Sequence, residues 1–278
     1  MRVDLHMHST ASDGVYTPTE VVQIALTNQM DIIALTDHDN VNGLAEARQA
    51  AAEKLEVLPG VELSTEEDQK DRHLLGYLFD PDNEPFLTML VELRDARVSR
   101  ADRIVQKLAA LGVNVSLERV YALAGAGSVG RPHIARAMLE QGYVSSLQEA
   151  FDKYLEDGGP AFVPHYRLAP ADAIQLLHQA GGIAVLAHPG RLDGDYHQIL
   201  ESLVPVGLDG IEVYYPDHTP EIVRDLRQLA AQHNLVMTVG SDFHRREGDG
   251  SARIGTVKVP PDVDIVGPLR ERAARYRN

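Results

Sequence analysis

His6 and His8 stand in Asp4-Leu5-His6-Met7-His8-Ser9, directly after a short apolar run. Side chains on an extended chain alternate with period two, so both imidazoles leave the backbone on one side. Asp13 follows in the next loop. A second apolar run ends in Thr36-Asp37-His38-Asp39, and a third ends in Gly60-Val61-Glu62. His73 opens a fourth, a fifth runs into Ala187-His188-Pro189, and a last one into Gly240-Ser241-Asp242-Phe243-His244. Imidazole and carboxylate bind divalent cations, and a sequence without cysteine leaves only nitrogen and oxygen donors. Manganese, zinc or iron suits such a set. His6, His8, Asp13, His38, Glu62, His73, His188, Asp242 and His244 make nine donors, more than one ion takes, so two or three ions are expected.

Taken singly, each residue has an ordinary explanation. Asp37 or Asp39 could cap a helix, or orient a ligand from behind, and Glu62 could be a strand-end charge. Taken together they are harder to dismiss. Six of the 12 histidines fall at strand ends or in the loops beside them. In a parallel barrel the strand ends converge on one face, where active sites are built.

The elements that must hold these residues are legible as alternating patterns. Strands are expected at 3–5, 32–36, 57–63, 73–78, 183–187, 210–213 and 236–240, in runs rich in Val, Ile and Leu that suit parallel strands buried on both faces. Helical spacing follows Pro18, covers 41–54, and recurs at 170–181, 197–206 and 220–233. From 80 to about 165 the pattern is helical without a convincing strand, with helices at 84–111, 117–123, 132–141 and 147–155. The fold expected is α/β: a distorted seven-stranded (β/α) barrel formed by 1–79 and 166–278, with a helical insertion at 80–165.

His6-Met7-His8, Thr36-Asp37-His38, Gly60-Val61-Glu62, Ala187-His188-Pro189 and Ser241-Asp242-Phe243-His244 resemble the successive motifs of the polymerase-and-histidinol-phosphatase (PHP) family. The resemblance spans the chain and implies a barrel around a trinuclear metal centre. It would group His6, His8, Glu62 and Asp242 on one ion, and Glu62, His73 and His188 on a second. Asp13, His38 and His244 would hold the third, Asp13 standing where some members carry a histidine.

Within the insertion, Arg97-Val98-Ser99-Arg100-Ala101-Asp102-Arg103-Ile104 and Gly130-Arg131-Pro132-His133-Ile134-Ala135 resemble the subgroup of 3',5'-nucleoside bisphosphate phosphatases and 5'-3' exoribonucleases. That resemblance implies substrate contacts at Ser99, Arg100, Arg103, Arg131 and His133. The residues carry their own argument. Arg94, Arg97, Arg100 and Arg103 recur every three positions as a slowly turning stripe, which could also be a solvated helix face. Arg131 precedes Pro132 at a helix start, where backbone N–H groups and the helix dipole attract phosphate. Arginine adds a bidentate fork.

Other signals are weaker. Gly125-Ala126-Gly127-Ser128-Val129-Gly130 fits GxGxxG but follows no strand, so a dinucleotide fingerprint fails its context. His178, His197, His218 and His233 read as ordinary surface or core residues, and His165 stays open. A net charge of −15 argues against broad adhesion to nucleic acid or anionic membranes. No apolar run approaches membrane-spanning length, no signal peptide is visible and no protein partner is implied, so a cytoplasmic protein is expected.

The function expected is hydrolysis of a phosphomonoester by metal-activated water. The favoured substrate is the 3'-phosphate of a 3',5'-bisphosphonucleoside. Cleavage of short 5'-phosphorylated RNA from its 5' end and hydrolysis of histidinol phosphate are the alternatives. A silent metal-stabilised module would lack ligands, and none is missing. His133, His188 and His244 are candidates for the general acid, among which the sequence does not choose.

Overall fold

The computed structural model describes residues 1–67, 70–125, 129–163, 168–192, 194–246, 250 and 253–277. Seven strands lie side by side in chain order: β1 Val3–Asp4, β2 Ile32–Leu35, β3 Glu56–Glu67, β4 Lys70–Tyr77, β5 Ile183–Leu186, β6 Gly210–Tyr214 and β7 Val236–Val239. The chain following β1 returns to that following β7. Leu5 N donates to Val239 O at 2.9 Å and His8 N to Phe243 O at 2.8 Å, and Met7 bridges to Phe243. The sheet thereby closes almost completely into the seven-stranded α/β barrel expected from the sequence. Leu5, Val61, Leu63, Leu74, Leu75, Val185, Leu186 and Ile211 are fully buried in its core.

One strand departs from the expected parallel order. β4 runs antiparallel to both β3 and β5. Only residues 68–69 separate β3 from β4, and a parallel return needs a crossover of about a dozen residues. The inversion serves the site. The end of β3 and the start of β4 lie at the same mouth of the barrel, where His73 pairs opposite Ser64.

Helices α1 Pro18–Thr27, α2 Gly43–Ala51, α7 Pro170–Gln179, α8 Tyr196–Leu203 and α9 Pro220–Gln232 alternate with the strands. Thr17 and Glu20 start α1 with a reciprocal capping box, and Pro18 sits in its first turn. A last helix, α10 Val266–Ala273, escapes the periodicity reading. Only Val266, Leu269 and Ala273 of it are buried, and Pro268 interrupts the pattern.

The segment after β4 consists of helices joined by turns and loops, with no strand among its described residues before β5. α3, Glu84–Ala110, is one helix of 27 residues, about 40 Å long at 1.5 Å per residue. Its first half sinks Phe86, Leu90 and Leu93 into the barrel core. Its second half sinks Ala101, Ile104 and Leu108 into a separate core shared with α4 Leu117–Ala124, α5 Arg131–Glu140 and α6 Leu147–Ala150. A π-helical turn, Phe151–Leu155, extends α6. Arg97 and Arg100 are buried at the step between the two cores. His165, the expected boundary at 165–166, and Ala126, Gly127 and Ser128 of the glycine-rich loop lie outside the described residues.

Candidate metal centre

Glu62 stands at the centre of the barrel mouth, 2% exposed. Its Oε1 lies 2.8 Å from His73 Nδ1 and 3.2 Å from His188 Nε2. Its Oε2 lies 3.2 Å from His6 Nε2, 3.1 Å from His8 Nε2 and 3.4 Å from His38 Nδ1. Each oxygen therefore faces its own set of imidazoles. Asp242 Oδ1 completes one set, 3.4 Å from His6 Nε2 and 3.3 Å from His8 Nε2. Asp13 gathers another, 3.2 Å from His244 Nε2, 3.7 Å from His8 Nδ1 and 3.8 Å from His38 Nε2.

Three groups of donors converge closely enough to share an ion: His6, His8, Glu62 and Asp242; His8, Asp13, His38 and His244; and His38, Glu62 and His73. The first matches the grouping the resemblance implied, and the second adds His8 to it. In the third His38 replaces His188, although His188 also reaches Glu62 Oε1. The structure thus brings all nine candidate ligands to one mouth.

Several contacts fail as hydrogen bonds. Both ring nitrogens of His8, and Nδ1 of His38 and of His188, are buried without a hydrogen-bond partner among the described residues. Leaving such nitrogens unsatisfied costs roughly 1–3 kcal/mol each. Donors on one divalent ion at about 2.0–2.2 Å sit roughly 3.0–3.5 Å from one another, which is the spacing around Glu62 Oε2. The residues fit divalent metal ions.

The electrostatics agree. Burial alone raises the Glu62 carboxyl, but His38, His6 and His73 overcome it and hold Glu62 well below the usual carboxylate range. Asp13 is likewise held down, against its burial, by His244 and His38, and Asp242 by His6 and His244. Buried Glu62 and the partly buried Asp13 and Asp242 are thus held ionised by the histidines around them, a role that divalent ions bound there would take over.

The backbone and the residues behind the cluster hold it in place. Asp39, His188 and Asp242 have φ of 49°, 28° and 51°, a left-handed region that costs such residues about 1–3 kcal/mol each. Glu212, fully buried in β6, accepts from His6 Nδ1 at 3.0 Å and from His188 N at 2.7 Å. With Nδ1 held by Glu212, Nε2 is the ring nitrogen that faces Glu62 Oε2 and would ligate an ion there. A side chain at Gly240 would collide with His6 Cβ and Glu212 Oε1. Tyr215 donates to Asp242 Oδ2 at 2.8 Å, leaving Oδ1 for the histidines, and itself accepts from Arg191 at 2.7 Å. Sequence reasoning missed Glu212, Tyr215 and Arg191. The available signal was a carboxylate inside the apolar run Gly210-Ile211-Glu212-Val213.

Asp37 and Asp39 serve the scaffold. Asp37 accepts from Ser9 N, Ser9 Oγ and Ser12 Oγ at 2.7, 2.7 and 2.6 Å, shaping the loop after His8. Asp39 pairs with Arg97 Nε at 2.5 Å and accepts from Ser64 N at 2.8 Å. His218 is buried, with Nδ1 on Val213 O and Nε2 accepting from Gly190 N, as a core histidine should be.

A cleft of about 320 Å³ opens over the cluster, lined by His38, His73, His188, Asp242 and His244 on the barrel side and by Arg131 and Asp157 across from them. Arg131 enters it from the start of α5, paired with Asp71 Oδ2 at 3.0 Å and Asp157 Oδ1 at 2.5 Å. Beside it, His133 Nδ1 accepts from Gly130 N at 3.0 Å. Burial pushes His133 down, so it stands neutral with its proton on Nε2. The expected arginine stripe does not act as a unit. Arg97 is tied to Asp39 and Ser64, and Arg100 is buried with Nε on Val163 O at 2.6 Å. Burial lowers Arg100 to about 9, helped by nearby Arg131. Ser99 and Arg103 are exposed and line no part of the cleft. A three-residue step turns a helix by about 300°, so the stripe drifts from the buried face to solvent.

A seven-stranded barrel with histidines and carboxylates converging at its mouth defines a metal-dependent hydrolase. The PHP domain model matches residues 4–237, and the chain belongs to that family. It is 36% identical over 281 residues to a 3',5'-nucleoside bisphosphate phosphatase of Chromobacterium violaceum, covering 98% of this chain and 97% of that protein. It is 37% identical over 247 residues to a 5'-3' exoribonuclease of Haemophilus influenzae, covering 87% of this chain and 90% of that one. Among solved structures, a Chromobacterium violaceum amidohydrolase with bound sulfate and no metal superposes with a TM-score of 0.88 at 34% identity, over 99% of this chain and 97% of that one.

Proposed function

We propose that the chain is a metal-dependent phosphatase that removes the 3'-phosphate of a 3',5'-bisphosphonucleoside, giving the 5'-mononucleotide and phosphate. One observation carries this reading: Arg131 faces the ligand cluster across a cleft of about 320 Å³, which falls in the range for one small molecule. A substrate phosphorylated at both ends would span it.

His6, His8, Glu62 and Asp242 would hold one ion, and Asp13, His38 and His244 a second with help from His8. Glu62, His73 and His188 would hold a third, with Glu62 bridging. Manganese is the favoured metal, with zinc or iron as alternatives. When bound, such ions lower the pKa of water towards 7 and offset charge on the phosphoryl oxygens. The chain's own residues do the rest. Arg131 exchanges Asp71 and Asp157 for the non-reacting phosphate, on which its fork is bidentate. His133 brings a neutral N–H beside it, and Arg100 adds charge from the adjoining turn of α3. Residues 80–165 thus act as a substrate cap. Tyr215 and Glu212 keep Asp242 and His6 aimed at the reacting end. A cytoplasmic setting belongs to the same reading, supported by a sequence without cysteine. No described helix is long and apolar enough to cross a membrane.

The test is phosphate release by metal-loaded protein from 3',5'-bisphosphonucleosides, mononucleotides, short 5'-phosphorylated RNAs and histidinol phosphate. Preference for the bisphosphonucleoside is expected. Preference for histidinol phosphate would overturn the assignment.

A further inference from the structure

Arg191 lines the metal cleft on the barrel side, three residues after the candidate ligand His188. Its backbone is fixed. His188 N donates to Glu212 at 2.7 Å, and a 3-10 turn over Pro189–Arg191 returns Arg191 N to His188 O at 2.9 Å. Gly190 N between them donates to the buried His218 at 3.1 Å. The side chain is tethered at one nitrogen only. Its Nη1 donates to the Tyr215 hydroxyl at 2.7 Å, and that hydroxyl donates to Asp242 Oδ2 at 2.8 Å. The same Nη1 stays 3.7 Å from Asp242 Oδ2, too far for a hydrogen bond. Nε and Nη2 have no hydrogen-bond partner among the described residues, and the side chain is 54% exposed. The guanidinium is thus held beside a candidate ligand with the rest of its fork uncommitted. Arg131 differs on each count, since it enters from the insertion and already holds Asp71, Asp157 and Leu155 O.

We infer that Arg191 is a catalytic residue, which binds the oxygens of the reacting phosphoryl group while Arg131 holds the far end of the substrate. Hydrolysis bonds a water oxygen to phosphorus and breaks the bond to the ester oxygen. One proton of the water ends on the released alcohol and the other stays with the phosphate. During the exchange, negative charge spreads over the three remaining phosphoryl oxygens. A phosphoryl group seated over Glu62 and Asp242 brings those oxygens beside the Arg191 fork. A donor already in place before the reaction stabilises that charge without reorganising, and Tyr215 keeps this one in place. The inference rests on phosphomonoester hydrolysis at the metal centre, and not on which nucleotide is bound.

Steady-state hydrolysis by manganese-loaded protein tests this with two substrates, an aryl phosphate and a 3',5'-bisphosphonucleoside. Arg191→Ala should lower kcat about 10²–10³-fold on the aryl phosphate, and by the same factor on the bisphosphonucleoside, with metal content unchanged. Calorimetry should show inorganic phosphate binding to that variant at least about tenfold more weakly. Arg191→Lys should recover part of the loss. Added guanidinium should restore part of the rate to Arg191→Ala and leave wild type no faster. Tyr215→Phe, which keeps the arginine and removes its tether, should lose less than Arg191→Ala. A bracing role acting only through Tyr215 and Asp242 predicts a different pattern. Tyr215→Phe would then match Arg191→Ala, metal content would fall in both, and guanidinium would rescue neither. That pattern would overturn the inference, as would a loss confined to the bisphosphonucleoside. The proposed function fails separately: wild type that hydrolyses the aryl phosphate but not the bisphosphonucleoside would sink that reading, while the aryl phosphate arm still decides the role of Arg191.

Discussion

The mouth of the barrel and the inner face of the insertion border the same cleft, yet they satisfy their charges in opposite ways. At the mouth, three carboxylates and six histidines converge, and several ring nitrogens have no hydrogen-bond partner among the described residues. Across the cleft, Arg131 is 20% exposed and already holds two aspartates and a backbone carbonyl. The first region is rigid and incomplete without cations. In the second, Arg131 is already paired, and under the proposed function it would exchange partners to bind substrate. On the proposed function, chemistry would belong to the fixed side, and substrate choice to the exchangeable side.

That division can be broken by substitution. The largest effect is expected for Glu62→Gln, which keeps volume and removes the charge shared by both oxygens. Activity on every phosphomonoester should fall by more than the roughly 10–100-fold that an outer-shell loss costs, and elemental analysis should show less bound metal. Full activity in that variant would mean that the centre lies elsewhere. Glu212→Gln comes next. Loss of the carboxylate behind His6 and His188 should cost about 10–100-fold in metal affinity or turnover, read by metal titration, and equally for all substrates.

On the exchangeable side the loss should be selective. Arg131→Ala should lower kcat/KM for a bisphosphonucleoside by one to two powers of ten, since a charge-assisted contact is worth about 1.5–3 kcal/mol. An aryl phosphate should be nearly unaffected, and Arg131→Lys should restore part of the loss. Equal losses on both substrates would place the second phosphate elsewhere. Arg103→Ala should change kcat/KM by no more than about twofold, as exposed positions usually contribute within ±0.5 kcal/mol. A tenfold loss there would return the outer stripe to the substrate path.

The two regions also differed in how far they could be read from sequence. The ligands were visible because each ends or opens an apolar run, and period-two geometry already puts His6 and His8 on one side. Strand direction was not visible at β4, since the hairpin is set by the spacing of only residues 68–69. It nevertheless delivers His73 to the expected mouth. Glu212 hid within its strand because one buried charge does not change an apolar pattern. On the insertion, Arg97 and Arg103 share a spacing and differ in burial by the drift of the helix alone. Arg97 is tied to Asp39 and Ser64, and Arg100 to Val163, partners from distant segments that a local pattern cannot join.

The most direct measurement follows the phosphorus of a 3',5'-bisphosphonucleoside by NMR, using protein stripped with a chelator and then reloaded with manganese. Stripped protein should be inactive and should melt at a lower temperature, because a ligand that binds only the folded state stabilises it. Reloaded protein should release one inorganic phosphate and leave the 5'-mononucleotide. Release of the 3'-mononucleotide, or undiminished turnover after chelation, would contradict a metal centre that cleaves the 3'-phosphate while Arg131 holds the other.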